Sequence, residues 1–266
     1  MKFYKYQGTG NDFVLIDNRT EFFPKENIQL INQLCDRRFG IGGDGLILLE
    51  NDLGASKLAK STDFKMVYYN SDGNQSSMCG NGGRCIVAFA KKLKIISSET
   101  TFTAIDGLHF ATIDSNNSVS LQMQNVNTIN IQSDYTFLNT GSPHHVQEVN
   151  NLSEFDVFNE GKKIRNSDLY GKEGTNVNFV LQLADNKFEL RTYERGVEDE
   201  TLSCGTGATA VAIAMFEIGK TNATNLDLKV QGGDLKVTFN KTENGYQDIF
   251  LIGAATFVFE GEIEIE

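Results

Sequence analysis

The chain has 266 residues, 40% of them apolar, 22% charged and 19 of them Phe, which suffices for one large core or two modest ones and argues against disorder. Lys and Arg total 24 against 35 Asp and Glu, and the net charge of −11 speaks against nucleic acid or an anionic membrane surface as partner, leaving only a local basic pocket for an anionic ligand. The sequence has no apolar run of about 18 residues and no hydrophobic signal core after Met1, so no transmembrane helix and a cytoplasmic location are expected.

In chain order, residues 25–39 are expected to form a helix with Ile28, Ile31, Leu34 and Cys35 on one side. A second helix is expected from about 82 to 93, where Ile86, Phe89, Ala90 and Leu93 stack at helical spacing. Alternating residues at 102–105, 119–123, 188–193 and 235–239 read as half-buried antiparallel strands. A third helix is expected from about 207 to 218, with Ala208, Val211, Ala212, Met215 and Phe216 on one face. Residues 256–265 read as one or two more strands, their Glu side chains on a wet face or guarding an edge. Only two prolines against 25 glycines suit short strands joined by tight turns.

The second and third helices begin alike. Met78-Cys79-Gly80-Asn81-Gly82 precedes one and Ser203-Cys204-Gly205-Thr206-Gly207 the other. Upstream of each lies a polar turn, Asn70-Ser71-Asp72-Gly73 and Glu194-Arg195-Gly196. Close to half the chain separates Cys79 from Cys204, so the pattern reads as a degenerate internal repeat of two α+β halves. A chance recurrence of glycine-rich helix starts is the bland alternative.

A helix start offers unpaired N–H groups and the positive end of the helix dipole, where a carboxylate can sit and a thiol loses its proton more readily. Two such turns facing one carbon atom would allow a proton to leave one face and another to arrive on the opposite face. That is the requirement of stereoinversion at an amino-acid α-carbon, with N–H donors to hold the developing negative charge. A redox pair and a zinc site are competing uses of the thiols. The sequence carries neither a CxxC pair nor zinc-type spacing, and no metal is expected. Cys35 and Cys85, inside expected helices, read as core residues. His109 and His145 read as structural, and His144 is open between a structural loop residue and a site residue.

Over its whole length the chain resembles the diaminopimelate epimerase family. The likeness is carried by Gly10-Asn11-Asp12-Phe13, Gly40-Ile41-Gly42-Gly43-Asp44-Gly45, Asn70-Ser71-Asp72-Gly73 and Cys79-Gly80-Asn81-Gly82-Gly83-Arg84-Cys85. It continues through Gly141-Ser142-Pro143-His144, Asn176-Val177-Asn178-Phe179, Tyr193-Glu194-Arg195-Gly196 and the stretch from Glu200 to Gly207. The resemblance implies two pseudo-symmetric α+β domains, each a curled, mainly antiparallel sheet around a central helix, with the active site in the cleft between them. The expected halves are 1–120 with 256–266, and 121–255.

It further implies a cofactor-independent enzyme that interconverts LL- and meso-diaminopimelate in lysine and peptidoglycan precursor synthesis. Cys79 would act as base toward the LL isomer while Cys204 donates a proton, the roles exchanging in reverse. Asn11 would orient the reacting end, with Gly80, Asn81, Gly205 and Thr206 as donors to its carboxylate. Asn70, Asn176 and Arg195 would hold the distal carboxylate and Glu194 the ammonium group. His144 would lie near the site. Two departures concern the same region: Ser142 stands where some members carry Asn, and Gly45 where some carry Gln. The 197–200 stretch is one residue longer than in some members. Proline or hydroxyproline racemase-like enzymes, a phenazine-type isomerase and a non-catalytic amino-acid-binding protein are the other readings of the scaffold. A homodimer is the expected assembly.

Overall fold

The structure, a computed structural model, describes residues 1–52 and 62–264. The chain divides into two compact units, Met1–Leu121 with Gly253–Glu266, and Gln122–Ile252. The first opens with β1 (Lys2–Gly8), β2 (Asn11–Asp17), α1 (Ile28–Cys35), β3 (Gly45–Glu50) and β4 (Phe64–Asn70). It continues with β5 (Gln75–Ser76), α2 (Gly80–Lys92), β6 (Glu99–Ala104), β7 (Gly107–Ile113) and β8 (Ser118–Gln122). The second unit holds β9 (Ile129–Ile131), β10 (Thr136–Asn139), β11 (Pro143–Glu148), α3 (Val157–Arg165) and β12 (Asn176–Ala184). Then come β13 (Lys187–Glu194), β14 (Asp199–Thr201), α4 (Gly205–Glu217), β15 (Asn225–Val230), β16 (Gly233–Thr242) and β17 (Gly245–Ala254). The last strand, β18 (Thr256–Glu262), returns to the first unit and pairs antiparallel with β1.

The strand pairings of the two units match step for step. In the first, β1–β2, β3–β4, β4–β5 and β6–β7 are antiparallel, and β2–β3 and β4–β6 parallel. In the second, β10–β11, β12–β13, β13–β14 and β15–β16 are antiparallel, and β11–β12 and β13–β15 parallel. A parallel pair needs a crossover too long for a hairpin. The helices supply it: α1 and α3 lie within the first crossover of each unit, α2 and α4 within the second. Even the outer strand corresponds, since β9 flanks β10 as β18 flanks β1.

Each sheet wraps one central helix. In α2 every residue from Gly80 to Ala90 is buried, and in α4 all but Thr206 from Gly205 to Met215. Such helices have no polar face, which is why small residues dominate them. Phe89 of α2 packs on Tyr4 with ring centroids 4.8 Å apart, and Phe13 lies buried beside Gly82. Phe216, in the last turn of α4, meets Phe239 and Tyr246 edge-on at 5.4 and 6.1 Å.

Several expectations are corrected in detail. The first helix is shorter than 25–39 and turns Ile28 outward, 49% exposed, burying Ile31, Leu34 and Cys35. Asn27 starts it by accepting the Leu30 N–H at 3.0 Å, and Asp36 turns to extended backbone and ends it. The two central helices begin two residues earlier than expected, at Gly80 and Gly205. Ile105 lies beyond β6 and is exposed. The final stretch forms a single strand ending at Glu262, and residue 265 lies outside the described residues. Helix α3 gives little signal in the sequence, because it buries only Val157 and Gly161 and shows little apolar periodicity. No helix among the described residues is long and apolar enough to cross a membrane.

Candidate active site

In the first unit the β1–β2 hairpin turns on Thr9 and Gly10, with φ of 48° and 86°, a pair of left-handed residues whose twist suits a two-residue hairpin. The turn delivers Asn11 to the start of β2. Cys79 is the N-cap of α2, in extended conformation, and its carbonyl accepts the Gly83 N–H at 2.7 Å. The Cys79 thiol donates to Asn11 Oδ1 at 3.6 Å, and Asn81 Nδ2 donates to the same oxygen at 3.2 Å. Arg84, fully buried, donates to Asn81 Oδ1 at 3.0 Å and to Thr9 Oγ1 at 3.2 Å, its basicity lowered by burial. Asn70 ends β4 directly opposite Gly45, at the head of β3. Gly45 cannot carry a side chain as the strands stand, since a Cβ there would lie 2.5 Å from the Tyr69 carbonyl oxygen and 2.6 Å from the Tyr68 ring.

The second unit repeats the plan with other residues. Cys204 is the extended N-cap of α4 and its carbonyl accepts the Ala208 N–H at 2.9 Å. Its sulfur lies 3.5 Å from the Thr206 hydroxyl, and Thr140 Oγ1 donates to the Thr206 carbonyl at 2.9 Å. Gly207 must be glycine, because a Cβ would lie 2.4 Å from Asn178 Oδ1 and 3.3 Å from Cys204 Sγ. Asn178 is a buried strut: it donates to His144 Nδ1 and to the His145 carbonyl, both at 3.0 Å, and accepts from Thr192 at 3.0 Å. That bond fixes His144 as the neutral Nε2–H tautomer, and burial, with Arg195 nearby, depresses its pKa to about 3. Its Nε2 finds no partner among the described residues.

Asn176, Ser142, Glu194 and Arg195 lie together in the second unit. Asn176 spends both amide protons on Ser142 Oγ and the Pro143 carbonyl, at 2.7 and 3.0 Å, while its oxygen accepts the Arg195 N–H at 3.0 Å. Arg195 Nη1 donates to the Glu173 carbonyl at 3.2 Å. Glu194 accepts the Thr201 hydroxyl at 2.5 Å. The 197–200 stretch is pinned through Glu198, at φ 59°, whose carboxylate pairs with Arg165 at 2.9 Å and accepts the Gly196 N–H at 3.0 Å.

The four cysteines differ in character and in burial. Burial pushes the Cys35 and Cys85 thiols up to about 12. Cys79, by contrast, is partly exposed at its helix start. Among the described residues no group of three or more His, Cys, Asp or Glu is placed to hold a metal ion.

The family profile described as diaminopimelate epimerase matches residues 3–129 and 136–258. The chain belongs to the diaminopimelate epimerase family. The diaminopimelate epimerase of Flavobacterium psychrophilum is 67% identical to it, covering 99% of this chain and 100% of its own. That of Chlorobaculum tepidum is 41% identical, over 97% and 99%. Among solved structures, a phenazine biosynthesis protein from Bacillus anthracis superposes with a TM-score of 0.77 at 12% identity, over 100% and 99% of the two chains. A hydroxyproline epimerase from Agrobacterium vitis gives 0.68 at 13%, over 98% and 91%. At such identities these two establish the shared fold alone.

As a family member the chain is an isomerase of the lysine and peptidoglycan precursor route. Within its units, the expected residues Asn11, Cys79 and Asn81 are brought into contact, as are Ser142, Asn176 and Arg195. Glu194 adjoins that second group as the residue before Arg195. Asp44, Thr201 and Asn178 carry no role in the sequence reading, yet Asp44 bonds Asn11, Thr201 bonds Glu194 and Asn178 bonds the near-site His144. Asp44 carried a signal, an acid inside a glycine-rich turn between Gly43 and Gly45.

Proposed function

We propose that the chain interconverts LL- and meso-diaminopimelate by a two-base route, without a cofactor, through Cys79 and Cys204. The observation that carries this reading is the same device in both repeats, a cysteine at the N-cap position of a glycine-opened, largely buried central helix. One thiolate takes the α-proton, and the other thiol delivers a proton to the opposite face of the carbon. The N–H groups of Gly80, Asn81, Gly205 and Thr206 are helix-start donors suited to the charge that builds on the α-carboxylate. Asn11 orients the reacting end.

At the distal end, Arg195 supplies a guanidinium fork for a carboxylate and Glu194 a charge for an ammonium group. Asn70 contributes there as well. The bonds of Asn176 favour a supporting role, since its oxygen fixes the Arg195 backbone and its amide polarises Ser142. The Ser142 hydroxyl, accepting from Asn176, keeps its own proton to donate.

The test is incubation of LL-diaminopimelate in D₂O with the purified protein and no added cofactor. Formation of the meso isomer with deuterium at the α-carbon is expected. Cys79→Ala and Cys204→Ala should each abolish isomer formation while keeping the parental circular dichroism. Parental turnover in either variant would remove that thiol from the mechanism.

A further inference from the structure

The Asn11 carboxamide meets the Cys79 sulfur, and its orientation is dictated from both sides. Its Nδ2 donates to Asp44 Oδ2 at 2.5 Å. A carboxylate only accepts, so the Asn11 nitrogen must face Asp44 and the oxygen must face Cys79 and Asn81. Arg84 imposes the same choice from the other side, since by donating to Asn81 Oδ1 it turns the Asn81 amide nitrogen toward Asn11.

Asp44 is itself held firmly. Its Oδ2 accepts the Asp12 N–H at 3.1 Å, its Oδ1 accepts Arg37 Nη2 at 2.8 Å, and its own N–H donates to the Asp12 carbonyl at 2.7 Å. Arg37 also spans both Asp12 oxygens at 2.6 and 3.0 Å, and Lys5 pairs with Asp12 at 2.6 Å.

Given Cys79 as one of the two bases proposed above, we propose that Asp44 is a positioning residue for the reaction: its carboxylate fixes Asn11 so that a carbonyl oxygen, not an N–H, meets the sulfur. A carbonyl beside sulfur favours the protonated thiol, and it makes the thiolate, once formed, the stronger base. Without Asp44 the carboxamide keeps the bond from Asn81 but loses the hold on its nitrogen side, so that rotation can offer N–H to the sulfur, which favours the thiolate. The other charged or titratable groups around this turn are Arg84, Cys85, Lys5, Asp12, Arg37, and the Asp106 carboxylate that accepts the Met78 N–H and pairs with His109. Substitution of Asp44 leaves all of them in the chain.

The test uses a Cys204→Ala background and follows alkylation of Cys79 by iodoacetamide against pH, with the modified peptide quantified by mass spectrometry. Asp44→Ala should lower the alkylation midpoint by about one pH unit, the size of one altered hydrogen bond to an ionising group. Asp44→Asn, which keeps an acceptor oxygen without the charge, should stay near the parent. With Cys204 present, Asp44→Ala should lower kcat by about tenfold with KM little changed. An equal shift in the Asn and Ala variants would mean that charge alone governs the thiol, and no shift in either would mean that Asn11 needs no anchor; both overturn the proposal. If Asp44→Ala does not fold, Asp44→Ser replaces it, since its hydroxyl can keep the Asp12 N–H yet stops short of Asn11. The midpoints are read without turnover, so they stand apart from the outcome of Cys79→Ala on isomer formation.

Discussion

Acid should weaken the second unit through two adjacent histidines that the fold accepts only as neutral rings. His144 and His145 are 0% and 3% exposed, and burial lowers their pKa values from 6.5 to about 3 and about 4. At His144 there is no acceptor for a second N–H among the described residues, because Asn178 already donates to Nδ1; at His145, with the Tyr170 hydroxyl 2.7 Å from Nδ1 and Gln147 Oε1 3.3 Å from Nε2, burial is what keeps the ring neutral, against the Gln147 bond. With folded pKa values below the unfolded one, the stabilisation is complete above pH 6.5 and is lost as pH falls toward 4 and then 3. At pH 5 each unfolded ring lies about 1.5 units below its pKa, so each costs about 2 kcal/mol at 1.36 kcal/mol per unit, and the pair about 4 kcal/mol. Urea unfolding of the parent and of His145→Gln at pH 7.5 and 5.0 isolates one ring, because contributions from unaltered carboxylates cancel in the difference. The stability gap should move by about 2 kcal/mol in favour of the variant on acidification. A gap that does not change with pH would refute the assignment of a buried neutral ring.

Three further outcomes are expected. Gly45→Ala should cost about 1–3 kcal/mol, the usual range for overpacking, because its Cβ meets the Tyr69 carbonyl; an unchanged denaturation midpoint would contradict this explanation of why Gln is absent there. Arg195→Ala should lower kcat/KM for diaminopimelate by about 10–100-fold, the worth of one charged hydrogen-bonding group, and unaltered steady-state kinetics would take Arg195 out of the distal clamp. In peptide mapping after brief alkylation near neutral pH, Cys79 should be modified well before Cys35 and Cys85, whose thiols sit near 12; early modification of either buried thiol would reverse that ranking.

The central device was legible because it is local. A cysteine, two glycines and a small-residue helix stand in sequence order, and the structure keeps them so at Cys79 and Cys204. The error of two residues at each helix start has a physical origin. Glycine normally disfavours a helix, but Gly80 and Gly205 sit at its first position, where burial and close packing outweigh the entropy lost. Contacts made across the sheet were less legible. Asp44 reaches Asn11 over 33 residues and Asn178 reaches His144 over 34, distances at which no periodicity informs. Ile28 misled because helical spacing names a stripe without showing how wide the buried part is.

The strand exchange between repeats bears on biosynthesis. Strand β9 follows the first repeat in the chain yet flanks β10 of the second, and β18 follows the second repeat yet flanks β1 of the first. As the nascent chain leaves the ribosome, the contiguous stretch from Gln122 to Ile252 brings β9 out ahead of β10, so the flank of β10 is covered as soon as that strand appears. The opening unit emerges earlier and must wait, with the flank of β1 uncovered, until β18 arrives after the later unit has been made.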